Sequence, residues 1–125
     1  MRVLICDDEP SIRELYRFAF EQAGAQVGEA ADGDECITAA RADYPDVIVL
    51  DLFMPRRDGL AALPELRRAC PGAPVLMVSA HAGVEVFSRA RALGATACFE
   101  KGSFLHRIPE LVARYGHPAP WPANS

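Results

Sequence analysis

The sequence has little of what marks a membrane, secreted or nucleic-acid-binding protein. None of its apolar runs approaches the roughly 20 residues that a membrane-spanning helix needs. The apolar stretch before Asp7 is too short for a signal peptide. The formal net charge of −4 gives no basic face for nucleic acid. We therefore expect a cytoplasmic protein that binds neither membrane nor nucleic acid directly.

Cysteine is sparse, and its spacing excludes the common cysteine motifs. The chain has 4 cysteines, none of them in a CxxC pair. This pattern supports neither a zinc site nor a redox motif, and the chain is long for a disulfide scaffold. We expect reduced and mostly buried thiols. The residues in question are Cys6, Cys36, Cys70 and Cys98.

Short β-branched runs alternate with longer helical patterns along the chain. This alternation is typical of βαβ units around a parallel sheet, and 125 residues suit one domain with a substantial core. We predict a domain over residues 1–115. Residues 116–125 form a Pro-rich tail, which we expect to be extended or flexible because alternating prolines cannot continue a helix.

Helix boundaries follow from local signals. We predict an apolar stripe of Ile12, Leu15, Tyr16 and Ala19 on the first helix. Asp58-Gly59 reads as the turn and cap that open the third helix. Pro64 inside that helix should delay or kink it, and Ser103 can cap the last helix.

Four apolar runs end at residues suited to phosphoryl-transfer chemistry. They lead into Asp7-Asp8, Asp51, Ser79 and Lys101. Because the carboxyl ends of parallel strands line up along one edge of a sheet, these residues should converge in one cleft.

The acidic residues in this cleft suggest a divalent cation. Adjacent carboxylates at Asp7 and Asp8 repel one another unless a cation joins them, and Mg²⁺ first, then Mn²⁺, prefers oxygen ligands of this kind. Alone, the pair could equally be an acidic cluster at a helix N-terminus. Asp51 favours the site, because a carboxylate at the end of the most hydrophobic strand can act as a nucleophile toward phosphorus. Lys101 would then add a positive charge and Ser79 a hydrogen-bond donor.

Four short motifs occur in a definite order along the chain. Ile5-Cys6-Asp7-Asp8-Glu9-Pro10 comes first, and Asp51-Leu-Phe-Met-Pro-Arg-Arg-Asp58-Gly59 follows. Ser79-Ala80 and then Gly94-Ala95 with Lys101 complete the set. In this order and spacing they resemble the receiver domain of two-component response regulators, over residues 1 to about 115.

The resemblance implies a fold and a role for each site residue. The fold is the flavodoxin-like (βα)5 receiver fold, an α/β doubly wound parallel sheet of five strands in the order 2-1-3-4-5. Asp51 falls at the phosphoacceptor, with Ser79 and Lys101 at the positions that contact the phosphoryl group. Asp8 and Asp51 fall at the direct Mg²⁺ ligands, together with the backbone carbonyl of Phe53. Asp7 falls at the acid that reaches the metal through water.

The resemblance also implies partners. The phosphoryl donor would be a histidine kinase, a phosphotransfer protein or a small acyl phosphate. Output would pass through the face of the fourth helix, fifth strand and fifth helix, to a downstream protein, a missing output domain or a second copy in a homodimer. The protein would be a phosphoacceptor with slow self-dephosphorylation, not an enzyme, and would need no organic cofactor. Candidate surface residues on this face are Val86, Phe87, Arg89, Arg91 and Arg107.

The chain departs from the family pattern at several positions. Cys98 occupies the switch position, which is commonly Tyr or Phe, and the neighbouring Phe99 should face the opposite side of the sheet. Gly102 replaces the proline that usually follows the lysine. Phe53 and His81 border the expected path of attacking water. We predict that bulky Phe53 slows hydrolysis of the phosphoaspartate, and we interpret His81 as a rim residue.

Three other functions compete with the receiver interpretation. Cys98 and Gly102 favour a pseudo-receiver or scaffold whose signalling does not depend on phosphate. A haloacid-dehalogenase-like phosphohydrolase is a remote alternative, because it needs a second Asp two residues after the nucleophile, where this chain has Phe53. A flavin-binding protein of similar topology is also weak, since no phosphate-cradling loop follows the first strand.

Overall fold

Five strands alternate with five helices in the computed structural model, which describes residues 1–80 and 83–116. His81 and the tail from residue 117 onward lie outside the described residues, so the predictions made for them stay predictions. The elements are β1 (Arg2–Cys6), α1 (Pro10–Gln22), β2 (Gln26–Ala30), α2 (Gly33–Ala42), β3 (Val47–Asp51), α3 (Gly59–Ala69), β4 (Val75–Ser79), α4 (Val84–Ala92), β5 (Ala97–Glu100) and α5 (Lys101–Tyr115).

The strands form one parallel sheet in the order β2-β1-β3-β4-β5. This order confirms the predicted doubly wound fold. All residues of β3 and β4 are buried, as expected for strands covered by helices on both faces. By contrast, β2 is mostly exposed at the edge of the sheet, which agrees with its thin apolar content.

Two apolar layers sandwich the sheet. On one face, α2 and α3 pack through residues such as Cys36, Leu63 and Leu66. On the other face, α1 and α5 pack through residues such as Phe20 and Phe104. Consecutive residues of a strand therefore pack into opposite layers. At the end of each strand, the last two side chains point toward different helical layers.

Several local predictions need correction. Leu15, predicted as part of the apolar stripe of α1, is 45% exposed, and the buried residues of this helix are Tyr16 and Phe20. Ser103 does not cap α5, because the helix already begins at Lys101 and the Ser103 hydroxyl donates to the carbonyl of Glu100 at 3.3 Å.

The third helix begins where the sequence predicted. The Asp58 side chain accepts a hydrogen bond from the backbone N–H of Ala61 at 2.9 Å, which confirms the predicted cap. Pro64 does not delay the helix, which runs without a break from Gly59 to Ala69. Since proline removes a single backbone donor, the remaining hydrogen bonds and the burial of Leu63 and Leu66 keep the helix continuous.

The expectation of four reduced thiols is wrong for one pair. Cys6 and Cys36 form a disulfide between β1 and α2, and both residues are fully buried. Their Cα atoms lie 5.9 Å apart, within the ordinary range for a disulfide. A separation of 30 residues carries no signal for this pairing, because only the packing of α2 on β1 brings the two together. Cys70 and Cys98 are free thiols.

The two ends of the described fold meet at the amino edge of the sheet. A side chain built on Gly116 would lie 2.9 Å from Sδ of Met1, so α5 ends beside the start of β1. The site residues predicted above lie at the other, carboxyl edge. None of the helices within residues 1–80 and 83–116 combines the length and apolarity of a membrane span.

Candidate functional site

The predicted site residues converge at the carboxyl edge of the sheet. Asp7 directly follows β1, Asp51 and Ser79 end β3 and β4, and Lys101 is the first residue of α5. Asp7, Asp51 and Ser79 are buried, whereas Asp8 is exposed. The strand topology alone brings these distant positions into one cleft.

Three carboxylates lie close enough to share a cation. Oxygen atoms of Asp7, Asp8 and Asp51 all lie within 4.8 Å of one another. Carboxylate oxygens are the donors that Mg²⁺ and Mn²⁺ prefer. These residues therefore fit the cation that the sequence predicted.

Lys101 links the two buried carboxylates. Its Nζ lies 2.9 Å from Oδ2 of Asp7 and 3.3 Å from Oδ2 of Asp51, and 3.6 Å from the more exposed Glu9. Burial lowers the pKa of Lys101, but the hydrogen bond to Asp7 and the charges of Asp51 and Asp7 outweigh it and raise the pKa above its ordinary value. The lysine therefore carries its positive charge throughout the physiological range.

The pKa of Asp51 is raised above its ordinary value. Burial, and then the negative charge of Asp7, raise its pKa to about 6, and Lys101 offsets part of this rise. An ionised Asp51 is thus costly in the isolated cluster, and a second positive charge beside it would lower that cost.

Contacts that the sequence did not reveal hold Asp7 in place. The backbone N–H of Glu9 donates to Oδ1 of Asp7 at 2.9 Å, and Nη1 of Arg13 donates to the Asp7 carbonyl at 2.6 Å. Arg13 in turn donates to Glu29 of β2. The position of Arg13 in the first turn of α1 was visible in the sequence, but its direction toward β1 was not.

Ser79 and Phe53 border the cluster in different ways. Ser79 is fully buried, and its hydroxyl has no hydrogen-bond partner among residues 1–80 and 83–116. A buried hydroxyl without a partner is unusual, and it leaves the Ser79 donor unused among the described residues. The backbone N–H of Phe53 donates to Oδ1 of Asp51 at 3.4 Å, while the Phe53 side chain is 59% exposed.

Cys98 and Phe99 face opposite sides of β5, as predicted. Cys98 packs against the layer that contains α2 and α3, and its thiol lies 3.8 Å from the carbonyl of Phe87 in α4. Phe99 packs against the other layer, where its ring contacts Phe104, with ring centroids 5.4 Å apart. Phe99 therefore does not occupy the space on the α4 side that an aromatic residue at position 98 would fill.

A family model of the response regulator receiver domain matches residues 3–113. The chain belongs to this family. The receiver domain is a module of two-component signalling, and the order of strands and the acidic cluster described above agree with this assignment.

Relatives and solved structures support the same family. The chain is 43% identical over 83 residues to the probable transcriptional regulatory protein TcrX of Mycobacterium tuberculosis. The matched region covers 66% of this chain and 36% of TcrX. It is 39% identical over 101 residues to the transcriptional regulatory protein PdtaR of the same species, covering 80% of this chain and 49% of PdtaR. The receiver domain thus spans less than half the length of these two relatives.

A solved structure of chemotaxis protein CheY4 from Vibrio cholerae superposes with a TM-score of 0.84 at 29% identity. The superposition covers 91% of this chain and 97% of CheY4. The receiver domain described here therefore has the α/β fold of that chemotaxis protein along nearly its whole described length. Family membership is consistent with phosphorylation-dependent signalling.

Proposed function

We propose that this receiver domain, over residues 1–115, accepts a phosphoryl group on Asp51. The donor is a phosphohistidine on a histidine kinase or phosphotransfer protein, or a small acyl phosphate. The observation that carries the proposal is the setting of Asp51, a buried carboxylate at a strand end that lies 3.3 Å from Lys101 and beside two further acids. Its pKa of about 6 leaves it largely ionised at neutral pH.

The chain's own contribution to the chemical step comes from side chains at this edge. A carboxylate oxygen of Asp51 forms a bond to phosphorus while the bond from phosphorus to the donor nitrogen or oxygen breaks, and the leaving group keeps the electron pair. Lys101 then pairs with the added negative charge. The Ser79 hydroxyl, which has no partner among the described residues, donates to a phosphoryl oxygen.

The carboxylate cluster would hold Mg²⁺, with Mn²⁺ as the alternative ion. Asp8, Asp51 and the backbone carbonyl of Phe53 would hold the ion directly, and Asp7 would hold it through water. When bound, the ion supplies positive charge to the incoming phosphoryl group. The proximity of the three carboxylates supports this assignment.

Output passes through the face formed by α4, β5 and α5, to a downstream protein, an attached output domain or a second copy. This face presents both apolar and basic side chains to solvent. Val84 is 82% exposed, and Arg89, Arg91 and Arg107 are also exposed. Val86 and Phe87 are half-buried there. Arg107 lies over the ring of Phe99 at 5.1 Å, so it connects the surface of α5 to β5.

Intact-mass measurement after incubation with acetyl phosphate and Mg²⁺ tests the proposal. We expect one phosphoryl adduct on the wild type and none on Asp51→Asn. Asp58→Asn is the matched control, because asparagine preserves the helix cap and removes a nearby carboxylate outside the cluster. If the wild type forms no adduct, or forms one that survives Asp51→Asn, the pseudo-receiver alternative replaces this proposal.

A further inference from the structure

The loop that carries Phe53 is attached to the sheet at its base. This β3–α3 loop, residues 52–58, begins at Leu52, whose N–H donates to the carbonyl of Val78 at 3.0 Å. The Leu52 carbonyl accepts from the N–H of Gly59 at 2.9 Å, and a Cβ on Gly59 would collide with the carbonyl of Asp51. The two ends of the loop are therefore tied together, and the residues between them need another support.

Arg56, within this loop, has an unfavourable backbone conformation. Its φ angle is +62°, the only positive φ of a non-glycine residue within residues 1–80 and 83–116. A side chain in the left-handed region costs about 1 kcal/mol or more and persists only where surrounding contacts hold it. The position of Arg56 is thus determined by something outside its own backbone.

Asp32 supplies that contact from the neighbouring loop. Its Oδ2 accepts hydrogen bonds from Nε of Arg56 at 2.8 Å and also from Nη2 of the same guanidinium. Its Oδ1 accepts from the backbone N–H of Glu35 at 2.9 Å and caps α2. These two contacts, the backbone hydrogen bond first, lower the pKa of Asp32 below its ordinary value.

The pair is asymmetric in burial. The Asp32 side chain is 2% exposed, whereas that of Arg56 is 65% exposed. A buried carboxylate needs a partner far more than an exposed guanidinium does, so Asp32 determines where Arg56 lies. Asp32 itself is placed by β2, whose last residue, Ala30, accepts a hydrogen bond from the N–H of Asp7 at 3.1 Å.

A second contact fastens the same loop to α2. The N–H of Gly33 donates to the carbonyl of Arg57 at 2.9 Å, and a Cβ on Gly33 would collide with that carbonyl. The β3–α3 loop therefore lies directly on the first turn of α2, next to the acidic cluster.

We propose that Arg56, held by buried Asp32, is a positioning residue that sets the backbone carbonyl of Phe53 for the divalent cation. This inference rests on the proposed function, since it assigns a support to the metal site described there. The Arg56 guanidinium pairs with Asp32, which is not one of the three clustered carboxylates. Arg56 acts through the loop, three residues after the carbonyl it positions.

The loss of Arg56 should change the affinity for the cation in opposite directions, depending on whether its charge or its effect on the loop dominates. Removal of a positive charge near a cation site should strengthen cation binding. Release of the loop should weaken it, since partners that orient metal ligands typically contribute about tenfold or more to affinity. The sign of the change therefore separates the two effects.

Calorimetric titration of the full chain with MgCl₂ at pH 7.5 tests the inference, with thermal unfolding of each variant alongside. We expect Arg56→Gln and Asp32→Asn each to weaken Mg²⁺ binding about tenfold. The double variant should be no weaker than either single variant, because both remove the same contact. Asp32→Asn retains a good helix cap, so its melting temperature should fall little.

The controls address charge and strain. Arg41→Gln removes an exposed arginine that pairs with Glu65 at 2.9 Å, and we expect it to leave the Mg²⁺ dissociation constant within about twofold of the wild type. Arg56→Gly accepts the positive φ without strain but lacks the guanidinium, and it should weaken binding as Arg56→Gln does.

Two results would overturn the inference, and they differ from each other. If the wild type binds Mg²⁺ through Asp51, as judged by loss of binding in Asp51→Asn, but Arg56→Gln or Arg56→Gly binds as tightly as the wild type, Arg56 has no positioning role. If the wild type shows no Mg²⁺ binding that depends on Asp51, the proposed metal site itself is wrong and this inference falls with it.

Discussion

Lys101 Nζ lies 3.3 Å from Oδ2 of Asp51, although the two residues are 50 positions apart in the sequence. The same nitrogen contacts Asp7 at 2.9 Å. One ammonium therefore contacts two buried carboxylates. Burial and then the negative charge of Asp7 outweigh the effect of Lys101, so the pKa of Asp51 stays raised even with a lysine in contact.

The raised pKa of Asp51 predicts that Asp51→Asn stabilises the metal-free protein at neutral pH. The folded chain holds the Asp51 proton up to about pH 6, against an ordinary value of 3.8. The stability that this proton confers is complete below about pH 3.8 and is lost as the pH rises through 6. We expect the variant to be more stable by about 2 to 3 kcal/mol at pH 7.5, and by about half that at pH 5.

Urea unfolding at the two pH values, with a chelator present, measures this difference. Asp58→Asn is the control, and its effect should not follow the same pH dependence. A stabilisation by Asp51→Asn that is equal at pH 5 and 7.5 would show that Asp51 does not titrate as described.

The buried hydroxyl of Ser79 predicts a conflict between stability and function. Because its oxygen has no hydrogen-bond partner among the described residues, Ser79→Ala should leave stability unchanged or raise it by about 1 kcal/mol. The same change should slow phosphorylation by acetyl phosphate by roughly one to two orders of magnitude, since a donor to the phosphoryl group is lost. Chemical denaturation and time-resolved intact mass measure the two effects. Exposed Ser88 provides the control, and Ser88→Ala should alter neither.

The exposed ring of Phe53 predicts a long-lived phosphoaspartate. Phe53 directly follows the anchored Leu52, and its side chain is 59% exposed beside Asp51. A bulky apolar ring at this place should hinder attacking water, so Phe53→Asn should shorten the phosphoryl lifetime several-fold. The decay of the phosphorylated mass after removal of the donor gives the lifetime. Phe18→Asn removes an equally exposed ring from α1 and should leave the lifetime unchanged; an unshortened lifetime in Phe53→Asn would refute the prediction.

The Cys6–Cys36 disulfide predicts a distinct labelling pattern. Under denaturing conditions without reductant, a thiol-alkylating reagent should modify only Cys70 and Cys98, and all four cysteines after reduction. Closure of a loop of 30 residues should contribute about 3 to 4 kcal/mol in the chain-entropy model. Cys36→Ala should therefore lower the melting temperature in non-reducing buffer, and the wild type with reductant should approach the variant. Four labels without reductant would show that the pair is not oxidised.

The convergence of Asp7, Asp51, Ser79 and Lys101 could be predicted because the carboxyl ends of parallel strands share one edge of the sheet. The order of the strands was implied by the resemblance to the receiver family. The orientation of single side chains could not be predicted. Leu15 has the spacing of a buried residue, yet α1 turns Tyr16 and Phe20 inward instead. The disulfide depends on the packing of α2 against β1, and that contact leaves no mark on the spacing of the cysteines.

The supports of the site were equally hidden from the sequence. Arg13 and Arg56 look like ordinary surface arginines, since nothing in their neighbours states which carboxylate or carbonyl they reach. The contacts to the Asp7 carbonyl and to Asp32 arise only when the loops at the carboxyl edge assemble. Chemistry at strand ends is thus readable from the sequence, whereas the contacts that hold it in place require coordinates.

The meeting of Met1 and Gly116 has a practical consequence for labelling and fusion. Strands of five residues separate these positions from the acidic cluster by about 17 Å along the sheet. A fluorophore or fused protein joined at Met1, or directly after Gly116, would therefore project from the edge remote from Asp51. Such attachments should leave the phosphoryl donor a clear approach, and a pair of dyes placed at these two points would report folding and unfolding by energy transfer.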